Sequence, residues 1–137
     1  MRLLPPVLLL ALLLGCDSSG FDERERAELE AGDVQIELGE TATVEGLAIT
    51  FDAVVDDSRC PLDAVCVWEG QAVVTLTVEG VTADLLVSGP PPGTAAERSL
   101  LVRDRLVSAV GLAPYPRVQG QSGARPVVAV SVVPADD

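Results

Sequence analysis

Residues 72–87 read AVVTLTVEGVTADLLV, and their alternation decides the fold. Ala72, Val74, Leu76 and Val78 fall on one face of an extended chain, with Thr75 and Thr77 on the other. After the Glu79-Gly80 corner, Val81, Ala83, Leu85 and Val87 again share a face. Two runs of period two joined by a corner containing glycine predict a β-hairpin. The same period recurs upstream. Val34, Ile36 and Leu38 precede a Gly39-Glu40 turn, Thr41–Val44 precede a turn at Gly46, and Ile49, Phe51, Ala53 and Val55 then face one way with Thr50 and Asp52 opposite. Downstream, Ser99 to Leu112 predicts one or two strands, with Leu106, Ser108, Val110 and Leu112 on a common face and Arg103, Asp104 and Arg105 exposed. Val127 to Val133 is almost wholly apolar, as in a strand buried on both faces. About seven strands, no long amphipathic helix and no strand–helix alternation define an all-β class: an antiparallel sandwich, immunoglobulin-like, or a small barrel.

The segment from Ser88 to Thr94 interrupts this pattern with three consecutive prolines, which lack the N–H a strand needs. It predicts a stiff surface loop, and its prolines stand where a phosphate cradle would need backbone donors. With 137 residues the chain holds one domain. Its 21 acidic residues against 9 arginines, with no lysine, give a net charge of -12 and exclude a nucleic-acid backbone as partner. Histidine is absent, which removes His-based triads, His-containing zinc sites and the usual pH switch. Ser58 and the threonines therefore have no histidine or lysine base, and adjacent Asp56 and Asp57 point to opposite faces of a strand. The chain reads as non-enzymatic, with no cofactor.

The N-terminus reads MRLLPPVLLLALLLGC. One arginine and a short apolar run form a secretory signal over residues 1–15, too short for a permanent membrane span. Leu13-Leu14-Gly15-Cys16 resembles the lipobox of bacterial lipoproteins. That resemblance implies cleavage before Cys16 and acylation of its thiol, with palmitate among the chains expected. Cys16 then anchors the protein to a lipid bilayer, because two or three chains hold far better than one. The compartment implied is the extracytoplasmic face of a bacterial cell envelope. Asp17 resembles an inner-membrane retention signal of some Gram-negative bacteria, and the sequence leaves both membranes open. Residues 16–32 are dense in charge and poor in large apolar side chains; Glu23 to Glu30 fits a short helix with Asp22 or Ser19 near its cap, but the stretch reads as a flexible acidic tether before a domain over residues 33–137.

With Cys16 assigned to lipid, Cys60 and Cys66 remain as an even pair in an oxidising compartment, where a disulfide forms. Five intervening residues and a following strand differ from the two-residue spacing of redox pairs. The seven-residue ring implies about 2.4 kcal/mol from loop-closure entropy. Trp68, two residues beyond Cys66, is expected in the core or at its edge. Asp52, Asp56, Asp57, Asp63 and Glu69 surround the ring. They are read as turn and salt-bridge residues, with Arg59 paired to Asp57 or Glu69, and a calcium ion held by the five carboxylates is the rival reading.

Asp57-Ser58-Arg59-Cys60-Pro61 followed by Cys66, Trp68 and Gly70 resembles a pattern in small bacterial exported proteins and lipoproteins. There a strand with Phe-x-x-Val precedes it, as Phe51 and Val54 do here. A strand like Ala72 to Val78, a Pro-Tyr-Pro turn like Pro114 to Pro116 and a closing strand like Val127 to Val133 follow. The resemblance implies a lipid-tethered, extracytoplasmic all-β domain and brings no activity. The function expected is a non-catalytic binding or interaction module with an unidentified protein partner; the alternatives are a structural envelope component and a calcium-binding domain. A binding role calls for an exposed apolar patch around Trp68 or Tyr115, with Tyr115 near Pro90 to Pro92, and a structural role for a buried Trp68.

Overall fold

A computed structural model describes residues 22–88, 96–120 and 122–136. The signal segment, Cys16 and the proline loop lie outside the described residues. The elements are α1 (Glu23–Glu30), β1 (Val34–Glu37), β2 (Thr41–Val44), β3 (Leu47–Asp57), β4 (Ala72–Val78), β5 (Val81–Ser88), β6 (Leu100–Val102), β7 (Arg105–Ala113) and β8 (Val127–Pro134). The strands make two four-stranded sheets, ordered β1-β8-β7-β6 and β2-β3-β4-β5, with antiparallel neighbours throughout. The fold is a β-sandwich and not a closed barrel.

From its corner out to Val73 and Leu86 the quoted hairpin forms in the register its pattern predicts, with Val78 opposite Val81 and Leu76 opposite Ala83; a shift then sets Ala72 opposite Ser88. Glu79 and Gly80 both adopt positive φ, 50° and 83°, a corner whose twist matches that of the strands. Glu79 also joins distant parts: its carboxylate accepts from the Ala48 N–H at 2.7 Å and pairs with Arg103 at 2.7 Å. Ala72, Val74, Leu76 and Val78 are fully buried and meet Val107, Leu112, Val128, Val130 and Val132 of the other sheet in one core.

Two strands change face part-way along, where sequence alternation alone predicts none. In β3, Leu47, Ile49 and Phe51 point inward as expected, but the pairing shifts between Phe51 and Ala53 and again between Val54 and Asp56. Val54 therefore packs on the core, and Val55, expected inside, is exposed. In β7 the buried residues are Val107 and Ala109, not Leu106 and Ser108; a shift between Ala109 and Gly111 then returns Leu112 to the core. One extra residue on a strand exchanges its faces.

The stretch expected as a flexible tether is, from Asp22 onward, a helix docked on the outer face of the β7–β8 sheet. Asp22 caps α1 by accepting from Arg24 N–H at 3.1 Å, and the Glu25 carboxylate returns to the Asp22 N–H, a capping box. Leu29 is buried with Ala113, Val127 and Ala129. Gly111 makes room for the helix, since a Cβ there would lie 2.6 Å from the Glu28 carbonyl oxygen. This second layer explains why β8 is apolar on both faces: Val128, Val130 and Val132 face the core, while Val127 and Ala129 lie under α1. Among the described residues no helix is long and apolar enough to cross a membrane.

Candidate functional site

The loop between β3 and β4 carries the cysteines. Cys60 and Cys66 are disulfide-bonded, with S–S 2.10 Å and Cα–Cα 5.9 Å. At the base of the loop the strands continue as a ladder: Ser58 N–H donates to Gln71 O and Cys60 N–H to Glu69 O, both at 2.8 Å. Gly70 closes this ladder at φ 73°, and any side chain there would strike the Ser58 carbonyl, 1.9 Å from the position of a Cβ. On the other side the loop is tied to the segment after β7. Leu62 N–H donates to Pro116 O at 3.1 Å, and the Asp63 carboxylate accepts from Val118 N–H at 2.7 Å and Gln119 N–H at 3.0 Å. Those two donors hold the Asp63 carboxyl below its ordinary pKa.

Arg59 is the buried hub of the base, 4% exposed. Its Nε and Nη2 donate to the two oxygens of Asp57 at 2.7 and 2.8 Å, a bidentate pair. Nη1 donates to Leu112 O at 2.6 Å and Nη2 to Pro114 O at 3.1 Å, so one side chain ties the end of β3 to the end of β7. Burial works against the charge, yet the Asp57 carboxylate and Tyr115 together outweigh it and the guanidinium pKa is raised. The guanidinium carbon lies 3.9 Å from the centroid of the Tyr115 ring.

Tyr115, a candidate binding residue, is itself internal. Its N–H donates to Glu25, which is 1% exposed, and its hydroxyl donates to Glu28 at 2.7 Å. Arg24 lies 5.0 Å from the same ring centroid and 3.5 Å from the Glu28 carboxylate. Burial, then the Glu28 hydrogen bond, raise the phenol pKa. The side chain joins helix, cysteine loop and sheet end. No residue near Tyr115 in the sequence marks Glu25, Glu28 and Arg24 as its partners; the one signal was the short helix expected over Glu23 to Glu30.

The tip differs. Val65 and Val67 are fully exposed, Cys66 is exposed, and Trp68, expected in the core, is 59% exposed. The stretch is a series of turns and not a strand, so alternation from Cys66 does not place the indole. Beside the tip lies an open depression of about 380 Å3, lined among others by Arg24, Leu62, Val65, Val67, Trp68 and Glu69. A smaller one of about 200 Å3 lies between Arg24, Glu28, Arg59, Glu69 and Tyr115.

The five carboxylates do not meet. Asp52 accepts from Thr77 Oγ1 at 2.7 Å, and Asp56 from Gln71 Nε2 at 2.9 Å and Ser58 Oγ at 3.3 Å. Asp57 is paired to Arg59, Asp63 accepts from Val118 and Gln119, and Glu69 lines both depressions beside the loop. Among the described residues no group of three or more His, Cys, Asp or Glu side chains is placed to hold a metal ion. The pairing of Arg59 is with Asp57 and not Glu69. No known family pattern, no curated protein and no solved structure matches the chain. The structure itself defines the class: a β-sandwich with a docked helix, displaying a disulfide-closed loop.

Proposed function

We propose that the protein is a non-catalytic interaction module, anchored through an acylated Cys16 to the extracytoplasmic face of a bacterial membrane, whose contact surface is the tip of the β3–β4 loop that the Cys60–Cys66 disulfide braces. The observation that carries this reading is the exposure of Val65, inside the Cys60–Cys66 ring, and of Val67 and Trp68 just beyond it, on a loop whose base is held by the Ser58, Cys60 and Leu62 N–H groups, Arg59 and Asp63. Isolated exposed apolar residues are ordinary, whereas a cluster with an indole on a rigid loop is the composition of a contact site. A purely structural role would leave no such cluster. The sequence Leu13-Leu14-Gly15-Cys16 supports the anchor.

Two measurements test the two halves separately. Cys16→Ser is expected to release the protein from membranes and abolish acyl labelling; unchanged fractionation and labelling would refute the anchor. A photocrosslinking residue at position 67 in cells is expected to give discrete adducts, on lipid or protein, that the same group at exposed Leu101 on β6 does not. Equal labelling from both positions, or none from position 67, would refute the tip.

A further inference from the structure

We infer that the Val65, Val67 and Trp68 tip seats in the interfacial layer of the bilayer that carries the Cys16 anchor, so that the domain stands on the membrane on its disulfide loop. This inference rests on the reading of Cys16 as the anchor.

The first support is chemical. Two fully exposed valines flank Cys66, and the exposed indole that follows is amphipathic, the type of side chain that collects at membrane interfaces. The disulfide and the bonds of Ser58, Cys60, Leu62 and Asp63 keep the tip from folding back onto the domain.

The second is where the chain enters the fold. Asp22 caps α1, and Arg24 in its first turn lines the same open depression as Val65, Val67 and Trp68. The path from the anchor therefore reaches the domain beside the tip.

The third is reach. Six residue steps separate Cys16 from Asp22, which at ~3.3–3.6 Å per residue span at most about 22 Å. A domain of this size has a radius of gyration near ~13 Å and is thus about 34 Å across. The leash is shorter than the domain it holds, so an anchored Cys16 keeps the end bearing Asp22 and the tip toward the lipid. Anchoring makes the tip's contact intramolecular, so individually weak apolar contacts suffice. The net charge of -12 opposes anionic headgroups, so the contact is apolar and favours zwitterionic lipid.

The chain supplies its own probes. Trp68 is its sole tryptophan, and with Cys60 bonded to Cys66, Cys16 is its sole free thiol. The chain from Cys16 onward, coupled through that thiol to a maleimide-bearing lipid in phosphatidylcholine vesicles, is anchored whatever the cell does at Cys16. Acyl labelling in cells thus decides the anchor, and the vesicles decide the tip. On coupling, Trp68 emission is expected to shift to the blue, lipids brominated in the upper acyl chain to quench it, and acrylamide quenching to fall several-fold. Val65→Asp with Val67→Asp should abolish all three changes while leaving the circular-dichroism melt unchanged, since both sites are fully exposed. Phosphatidylglycerol in the vesicles should weaken them. Identical emission and bromolipid quenching in coupled and uncoupled protein would overturn the inference in favour of a protein partner. A Trp68 already shielded from acrylamide in the uncoupled protein would overturn it in favour of cover by the chain itself.

Discussion

At its base the β3–β4 loop commits Arg59, Asp57, Asp63 and the backbone of Ser58, Cys60 and Leu62 to fixed partners, whereas at its tip Val65, Val67 and Trp68 stand out in solvent. A buried guanidinium with four hydrogen bonds and an aromatic ring beneath it over-determines the backbone around it. A tip with no such bonds contributes little to folding, and its side chains are free to be chosen for contact. The difference teaches that rigidity and display are divided within one short loop, with the disulfide at the boundary.

The largest expected effect lies at the base. Arg59→Ala leaves Asp57 without its bidentate partner and removes the donors that Arg59 gives to the Leu112 and Pro114 carbonyls, and is expected to cost about 3–5 kcal/mol in urea denaturation. A loss below about 1 kcal/mol, the range of an ordinary surface pair, would show that the base is not the anchor described. Opening the disulfide comes next. Reduction or paired Cys60→Ser and Cys66→Ser should cost about 2.4 kcal/mol and leave the sandwich folded, because the ladder and Asp63 still hold the base. Intact mass should rise by two hydrogens on reduction, and quantitative thiol reactivity at Cys60 and Cys66 in unreduced protein would deny the bond.

A smaller effect is the pH response. The Asp63 carboxyl is depressed, so its contribution is present above the unfolded value near ~3.9 and is lost as pH falls through the lower folded value. Asp63→Asn should accordingly flatten the decline of stability in acid below about pH 4. The Tyr115 phenol is raised, so its contribution is present below about pH 10 and is lost as pH rises through the folded value, and Tyr115→Phe should flatten that limb. Parallel acid or alkaline curves for variant and parent would remove these groups from the base. The smallest effect sharpens the comparison from the other side: Trp68→Ala and Val67→Asp should each change stability by less than about 0.5 kcal/mol. A larger loss in thermal or urea unfolding would mean that the tip is packed in solution.

What the sequence determined by itself is the local pattern. Period-two runs with Glu-Gly corners specify the hairpins at Gly46 and Gly80, and the apolar run from Val127 specifies a strand covered on both faces. These signals are local, because the pleat period and the need for positive φ act over a few residues. A carboxylate partner for Arg59 was legible for the same reason, though the choice of Asp57 over Glu69 was not. The tertiary structure decided the rest. The register shifts that exchange Val54 with Val55 depend on the partner strand, and no residue of β3 announces them. The helix docks through Leu29 and through the bonds of Glu25 and Glu28 to Tyr115, and it is the space above Gly111, supplied by another element, that admits it. Tyr115 was drawn inward by Glu25, Glu28 and Arg59, all remote in the chain, and Trp68 was left outside because a ring of turns has no alternation to inherit. Whether a side chain is buried depends on what the distant chain brings to it, and that information is absent from its neighbours in sequence.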